Sequence, residues 1–429
     1  MKSLNSLTRK LAIAGLVSVA FVGSAIGADK KYEGITLTLA SQNDQFAAVL
    51  AAIAPKFTEE TGANVKVDIL DYGSLLTKTT TDFVGGTGGY DLVTMDIVWA
   101  GQYAENKYTV DLTEWMQRDA AELKLDDIYP TLLNALGHWG DKQVAFPFAG
   151  YANVLAYRKD LFDAAGLKAP TTMEEMVEAA YKLTDPSKKI YGFVANGQKG
   201  PAVAQDWMQY NTEMGGSILG SDGKPALNSE ANIKSLIVYK DLFMKAAPPG
   251  AVNYDWGGRE ESFRQGIAAI MQTWSVGAPG YYDPSISKIV DKVAITTAPR
   301  GDAGLPKVYG IGGWGMAINA GIKDTQKEAA WAFIKWLVSP PVHKEFNMMG
   351  AGSFLRKSEM SDPDLLKKFP FLPVIAETFE HGDGEYRPRI PQYPEIQDLL
   401  GTAVNDVLVG NADPKKALDA AQEAAAKLF

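Results

Sequence analysis

The 429-residue chain reads as an α/β protein of two lobes, with a hinge of two to three crossing segments and a ligand cleft between the lobes. Three observations predict this. From Ile35 onward, β-rich runs alternate with helical stripes in the order of βαβ units. About a third of the way along, the apolar, strand-like stretch Phe146 to Phe162 runs into a short polar boundary and a helix, as a crossing between lobes would. No repeat, low-complexity run or Ser/Pro-rich linker divides the chain, so the lobes are expected to share strands that pass back and forth.

The first unit opens with a strand over Ile35 to Ala40, and Gln42, Asn43 and Asp44 supply polar capping residues for the helix that follows. Phe46, Leu50, Ile53 and Phe57 mark one face of that helix, which Gly62 ends. Val65, Val67 and Ile69 alternate as the next strand. Parallel strands with a right-handed crossover put Ser41 to Asp44 at the carboxyl edge of the sheet, where open α/β sheets take ligands. The pattern repeats as a helix over Gly73 to Phe83, a glycine-rich connector at 85–89, a strand over Asp91 to Asp96 and an aromatic helix with Trp99 and Tyr103. No Lys-Ser/Thr follows those glycines, so they do not form a phosphate-binding loop.

Beyond the first crossing, helices are expected over Asp160 to Gly166, Thr171 to Leu183 and Trp207 to Met214. Strands are expected over Tyr191 to Val194, Ala268 to Met271 and Val293 to Thr297. Two packing helices close the chain, one carrying Ile396, Leu400, Val404 and Val407, the other over Pro414 to Leu428. Crossings fall at about Phe148 to Tyr151 and Tyr309 to Gly315, with a third near His343 to Met349. The resulting division is 29–149 plus 312–345 for lobe one and 150–311 plus 346–429 for lobe two.

Residues 1–28 carry the pattern of an export signal: Lys2, Arg9 and Lys10 are basic, Leu11 to Val22 is apolar, and Ser24 to Ala28 is a small-residue cleavage zone. The apolar run falls short of the about 20 residues that span a membrane. Cleavage is expected after Gly27 or Ala28. The chain has no cysteine, which excludes disulfides, thiol catalysis, cysteine metal sites and the lipidated cysteine of a surface lipoprotein. A free periplasmic monomer is the expected state. The formal charge of −9 becomes more negative once the basic signal is removed, and such an acidic chain repels nucleic acid and anionic lipid. The three histidines, His138, His343 and His381, show no paired metal-ligand spacing.

The order of motifs resembles the sugar-binding branch of the extracellular solute-binding proteins that serve ABC importers, the class of maltose-binding protein. The matching pieces are Phe57-Thr-Glu-Glu-Thr-Gly62 before a Val-x-Val strand, Gly89-Tyr-Asp-Leu-Val93, and Phe146-Pro-Phe148 leading to Tyr157-Arg-Lys-Asp-Leu-Phe162. Gly312-Gly-Trp-Gly-Met-Ala-Ile-Asn319, Ala329-Ala-Trp-Ala-Phe-Ile-Lys-Trp-Leu337 and Arg387-Pro-Arg-Ile-Pro391 follow in the same order. The resemblance implies a periplasmic-binding-protein fold. It also implies a carrier that captures a sugar, sugar alcohol or sugar derivative without chemistry or cofactor and delivers it to ABC permease subunits in the membrane.

Saccharides present C–H faces and many hydroxyls, so their site needs aromatic platforms and planar donors and acceptors. Trp274, expected just past a strand end, stands at the cleft mouth, and the matching family position commonly stacks on sugar. Trp314 sits in the glycine-rich crossing with Gly313, where backbone can approach a ligand closely, hinge packing being the alternative. Gln42, Asn43 and Asp96 end strands of lobe one, and Asp96 suits vicinal hydroxyls. Tyr151 and Asn153 flank the first crossing, and Trp207 fits either stacking or core burial. Arg356 aligns with a basic position that often bonds sugar hydroxyls in the family, against a surface salt bridge. Arg387 and Arg389, flanked by prolines, read instead as an exposed rigid turn.

Three other functions compete. Ferric carriers of this fold use adjacent tyrosines, and Tyr281-Tyr282 is such a pair. A polyamine or amino-acid carrier would have an acid-dominated site. An exported glycoside hydrolase needs only two carboxylates, and 51 acidic residues leave a pair open, though no paired motif emerges.

Overall fold

In the computed structural model, residues 30–301, 304, 305 and 307–429 are described. The expected export signal lies outside them. The chain opens as β1 (Thr36–Gln42), α1 (Gln45–Thr61), β2 (Asn64–Leu70), α2 (Tyr72–Gly85) and β3 (Leu92–Asp96). β1 lies between β2 and β3 and pairs with both in parallel. Asp44 caps α1 as expected, accepting from Gln45 N at 2.7 Å, and Asp71 caps α2, accepting from Ser74 N at 2.9 Å. Gly62 ends α1 at φ 87°, where a Cβ would also press within 2.9 Å of Glu33 Cα. Phe46, Leu50, Ile53 and Phe57 are buried against the sheet, as their spacing predicts.

β4 (Phe146–Arg158) is the first crossing, and its partners change midway. Phe146 to Ala152 pair antiparallel with β7 (Ile311–Ile318), which runs beside β3. Asn153 to Arg158 pair with β5 (Ile270–Trp274) and β6 (Val293–Thr297). One curled seven-stranded sheet, ordered β2-β1-β3-β7-β4-β5 with β6 also on β4, therefore runs through both lobes. The register shifts between Pro147 and Ala149, where proline has no N–H to donate to the ladder.

Helix boundaries in the second half differ modestly from expectation. The helix expected from Trp207 begins six residues earlier, at Pro201 in the first turn, and runs to Glu213. Tyr191 to Val194 is not a strand: Tyr191 makes only an isolated bridge to Ala268. The segment expected as a third crossing is the helix Pro340–Met348; His343 ties it to β4 through its Nε2 contact with Phe148 O at 3.0 Å, while its Nδ1 meets Glu359 at 2.7 Å.

Candidate ligand-binding site

A cavity of about 120 Å³ lies where the carboxyl ends of strands from both lobes converge. β1 delivers Gln42, Asn43 and Asp44, β3 delivers Asp96, and α2 begins with Tyr72. From the other lobe come Trp274 at the end of β5 and the start of helix α3 (Trp256–Arg264), with Trp256, Arg259 and Glu260. The crossing strands supply Tyr151, Gly313 and Trp314, and Arg387 enters from the segment before the penultimate helix. Gly313 has φ 134°, and a Cβ there would sit 2.0 Å from Ala149 O, so only glycine brings the crossings this close.

The walls are tied into a closed loop of contacts. Gln205 Oε1 accepts from Trp256 Nε1 at 3.1 Å and from Trp274 Nε1 at 3.2 Å. The Trp256 ring lies 5.7 Å from that of Tyr72, across the gap between lobes. Tyr72 donates to Asp96 at 2.8 Å, Arg387 reaches Asp96 at 3.5 Å, and the Arg387 guanidinium lies 5.2 Å over Trp274. A second bridge joins the lobe-one cap to the crossing: Tyr151 donates to Asp44 at 2.9 Å. Beneath Glu260, Arg259 pairs with Asp206 at 2.6 Å and donates to Thr273, while Tyr281 donates to Glu260 at 2.6 Å.

Burial governs the protonation of these groups. Desolvation raises the Asp44 carboxyl, opposed by the bonds from Gln45 N and Tyr151. Burial works against the charges of Arg259 and Arg387, yet Asp206 and Glu260 around the first and Asp96 beside the second hold both guanidiniums above their ordinary value. The lining carries Asp44, Asp96 and Glu260 against Arg259, Arg264 and Arg387, so opposite charges are matched within it. Gln42 Oε1 and Arg387 Nε and Nη1 are buried without a partner among the described residues.

Of the residues expected at the site, Gln42, Asn43, Asp96, Tyr151, Trp274, Gly313 and Trp314 line the cavity. Three others lie elsewhere. Arg356 is fully buried, donating to Val338 O at 3.1 Å and Leu123 O at 2.9 Å and pairing with Asp127 at 3.5 Å, so its donors are used up in holding loops together. Trp207 is fully buried in its helix and does not line the cavity. Asn153 accepts from Gln272 at 2.7 Å inside the sheet. The expectation of an exposed turn at Arg387 is also corrected: Arg387 is 2% exposed and lines the cavity, while Arg389 donates to the carbonyls of Asn134, Ala135 and His138 and fixes that segment. The adjacent tyrosines part, Tyr281 toward Glu260 and Tyr282 onto Phe371 at 5.6 Å, and no group of metal-binding side chains occurs among the described residues.

Sequence reasoning missed Tyr72, Gln205, Trp256, Arg259 and Glu260. For two of them a signal existed. Tyr72 and Trp256 each follow an aspartate cap, Asp71 and Asp255, at a helix start, the same local pattern that singled out Gln42 to Asp44.

A sheet threaded through two lobes, with a buried polar and aromatic cavity at its strand ends, defines a carrier that encloses a small solute. Residues 40–344 match the model of the bacterial extracellular solute-binding protein family, and the chain belongs to that family. It is the solute-binding component of an ABC importer and not an enzyme. A solute-binding protein of an ABC transporter from Agrobacterium radiobacter K84, solved in complex with ribitol, is 71% identical with a TM-score of 0.92, over 93% of this chain and all of that one. One from Agrobacterium vitis S4 with bound D-mannitol is 27% identical with a TM-score of 0.83, covering 92% of this chain and 98% of that one. A probable amino-acid ABC transporter periplasmic-binding protein of Sinorhizobium fredii is 26% identical over 96% of this chain and 95% of its own length. No helix among the described residues is long and apolar enough to cross a membrane.

Proposed function

We propose that the cavity captures a short, neutral, acyclic polyol, a pentitol such as ribitol, and delivers it to the membrane permease. The cavity itself carries this reading. Its about 120 Å³ is several times the roughly 10–15 Å³ that a single water needs, so it takes a small solute. Its matched charges favour a neutral ligand, because a cation or anion would itself be buried with no unpaired opposite charge to meet it. One face of Trp274 is covered by Arg387, which leaves less room for a stacked pyranose ring than for a slender chain. The unpartnered atoms of Gln42 and Arg387 supply an acceptor and donors that hydroxyls can satisfy. The ribitol and D-mannitol held by the two relatives agree with this chemistry.

Such a ligand would touch Asp96 and Gln42 of lobe one together with Trp274 of lobe two, and so would bind the closed arrangement better than an open one. The same proposal includes residues 1–28 as a cleaved export signal without lipidation, a periplasmic monomer with no nucleic-acid partner, and lobes of 29–149 plus 312–345 and 150–311 plus 346–429. The change of partners along β4 supports that division.

A thermal-shift and calorimetric panel of ribitol, D-mannitol, maltose, amino acids and spermidine tests the ligand class. A true ligand at 100 times its dissociation constant stabilises the fold by about 2.7 kcal/mol. Ribitol is expected to give that shift. A shift by an amino acid or spermidine with none by any polyol would sink the proposal.

A further inference from the structure

We infer that Gln205 is a positioning residue for ligand capture: one amide oxygen holds both lobe-two indoles in the attitude that closure requires. An indole N–H can only donate, so the bonds from Trp256 and Trp274 fix which end of the Gln205 amide faces them. Gln205 is 6% exposed and lines the cavity, and its amide nitrogen makes no bond to any described residue. The same side chain therefore presents two donor hydrogens to a bound hydroxyl while its oxygen sets the two rings. Neither ring is an isolated wall. Trp256 meets Tyr72 across the lobes and Trp274 carries the Arg387 guanidinium, and Tyr72 and Arg387 converge on Asp96. Releasing the two indoles loosens the loop of contacts on both sides of the cavity at once. The pinning would act on ligand choice as well, because it keeps Trp274 against Arg387 and so holds the cavity narrow.

For its affinity arm the inference rests on the polyol reading; its structural arm does not. Q205M removes the acceptor at similar side-chain size, and Q205E keeps an acceptor for both indoles. The indole N–H resonances of the ligand-free protein, labelled with nitrogen-15 at its nine tryptophans, report on Trp256 and Trp274 once each is assigned by its Phe variant. In Q205M both resonances are expected to move and ribitol affinity to fall about tenfold or more, since two hydrogen bonds that orient the walls are lost. Q205E is expected to leave both resonances bonded, with an affinity below the parent's because it loses the amide donors and adds a charge to the cavity. Q205A, also without an acceptor, takes the place of Q205M should that variant not fold. Unmoved resonances in the acceptor-free variant, or moved resonances with affinity within about twofold of the parent, would overturn the inference. If the parent binds no polyol, the proposed ligand fails while the resonances still decide the role of Gln205.

Discussion

Asp96 and Arg387 meet at 3.5 Å although 291 positions separate them, and both side chains are almost wholly buried. Tyr72 donates to the same carboxylate, so Asp96 joins lobe one to the segment that carries the cavity's least satisfied guanidinium. A buried pair of this kind adds little net stability over an apolar pair, but removing one member leaves the other uncompensated.

Arg387→Met is expected to lose about 3 kcal/mol of ligand-free stability, because the Asp96 charge stays buried with Tyr72 as its remaining partner. Ribitol affinity should fall about a hundredfold or more as well, through the lost donors. Denaturant unfolding and calorimetry on the same preparation measure the two effects.

Arg356→Met should separate those effects. Its guanidinium bonds Val338 and Leu123 carbonyls away from the cavity, so stability is expected to fall by about 3 kcal/mol with ribitol affinity unchanged once the protein is folded. A selective loss of affinity would return Arg356 to the ligand site.

Gly313→Ala is expected to destabilise the ligand-free protein by about 1–3 kcal/mol, for a side chain at φ 134° is strained and its Cβ collides with Ala149 O. Closure should suffer too, since the collision lies where the two crossing strands pack. Small-angle scattering with and without ribitol would show a smaller compaction than the parent gives.

Glu213 predicts a pH dependence. Burial raises its carboxyl from 4.5 to about 8, against the pull of Val308 N–H and Lys307. The folded state thus binds a proton that the unfolded chain releases, and its contribution is present below the ordinary carboxylate value and is lost as pH rises through about 8. Ligand-free stability should decline over that window, by up to about 1.4 kcal/mol per pH unit. Glu213→Gln should flatten the decline, which melts from acid to mildly alkaline pH will register.

The alternating strands, capped helices and crossings were legible because they rest on local chemistry. Asp44 caps where the sequence places it, Gly62 stops its helix, and the apolar run at β4 is the strand it was expected to be. At the site the same logic reached every residue that ends a lobe-one strand, and it could have reached Tyr72 and Trp256 by their aspartate caps. It misread Arg387 because flanking prolines look alike on a surface turn and on a segment pressed into a cleft. Arg356 misled for the complementary reason: an arginine can spend its donors on main-chain carbonyls, and nothing in Ser-Phe-Leu-Arg-Lys reveals which carbonyls lie nearby.

By itself, the sequence determined the two-lobe α/β class, the crossing strands and the carrier function, since periodicity, caps and motif order are properties of neighbouring residues. Only the tertiary structure decided which polar groups face the cavity. Asp96 finds Arg387, and Gln205 finds both Trp256 and Trp274, through the convergence of strand ends from two lobes. Pairing over such separations depends on how the sheet curls and the lobes close, which no local spacing encodes.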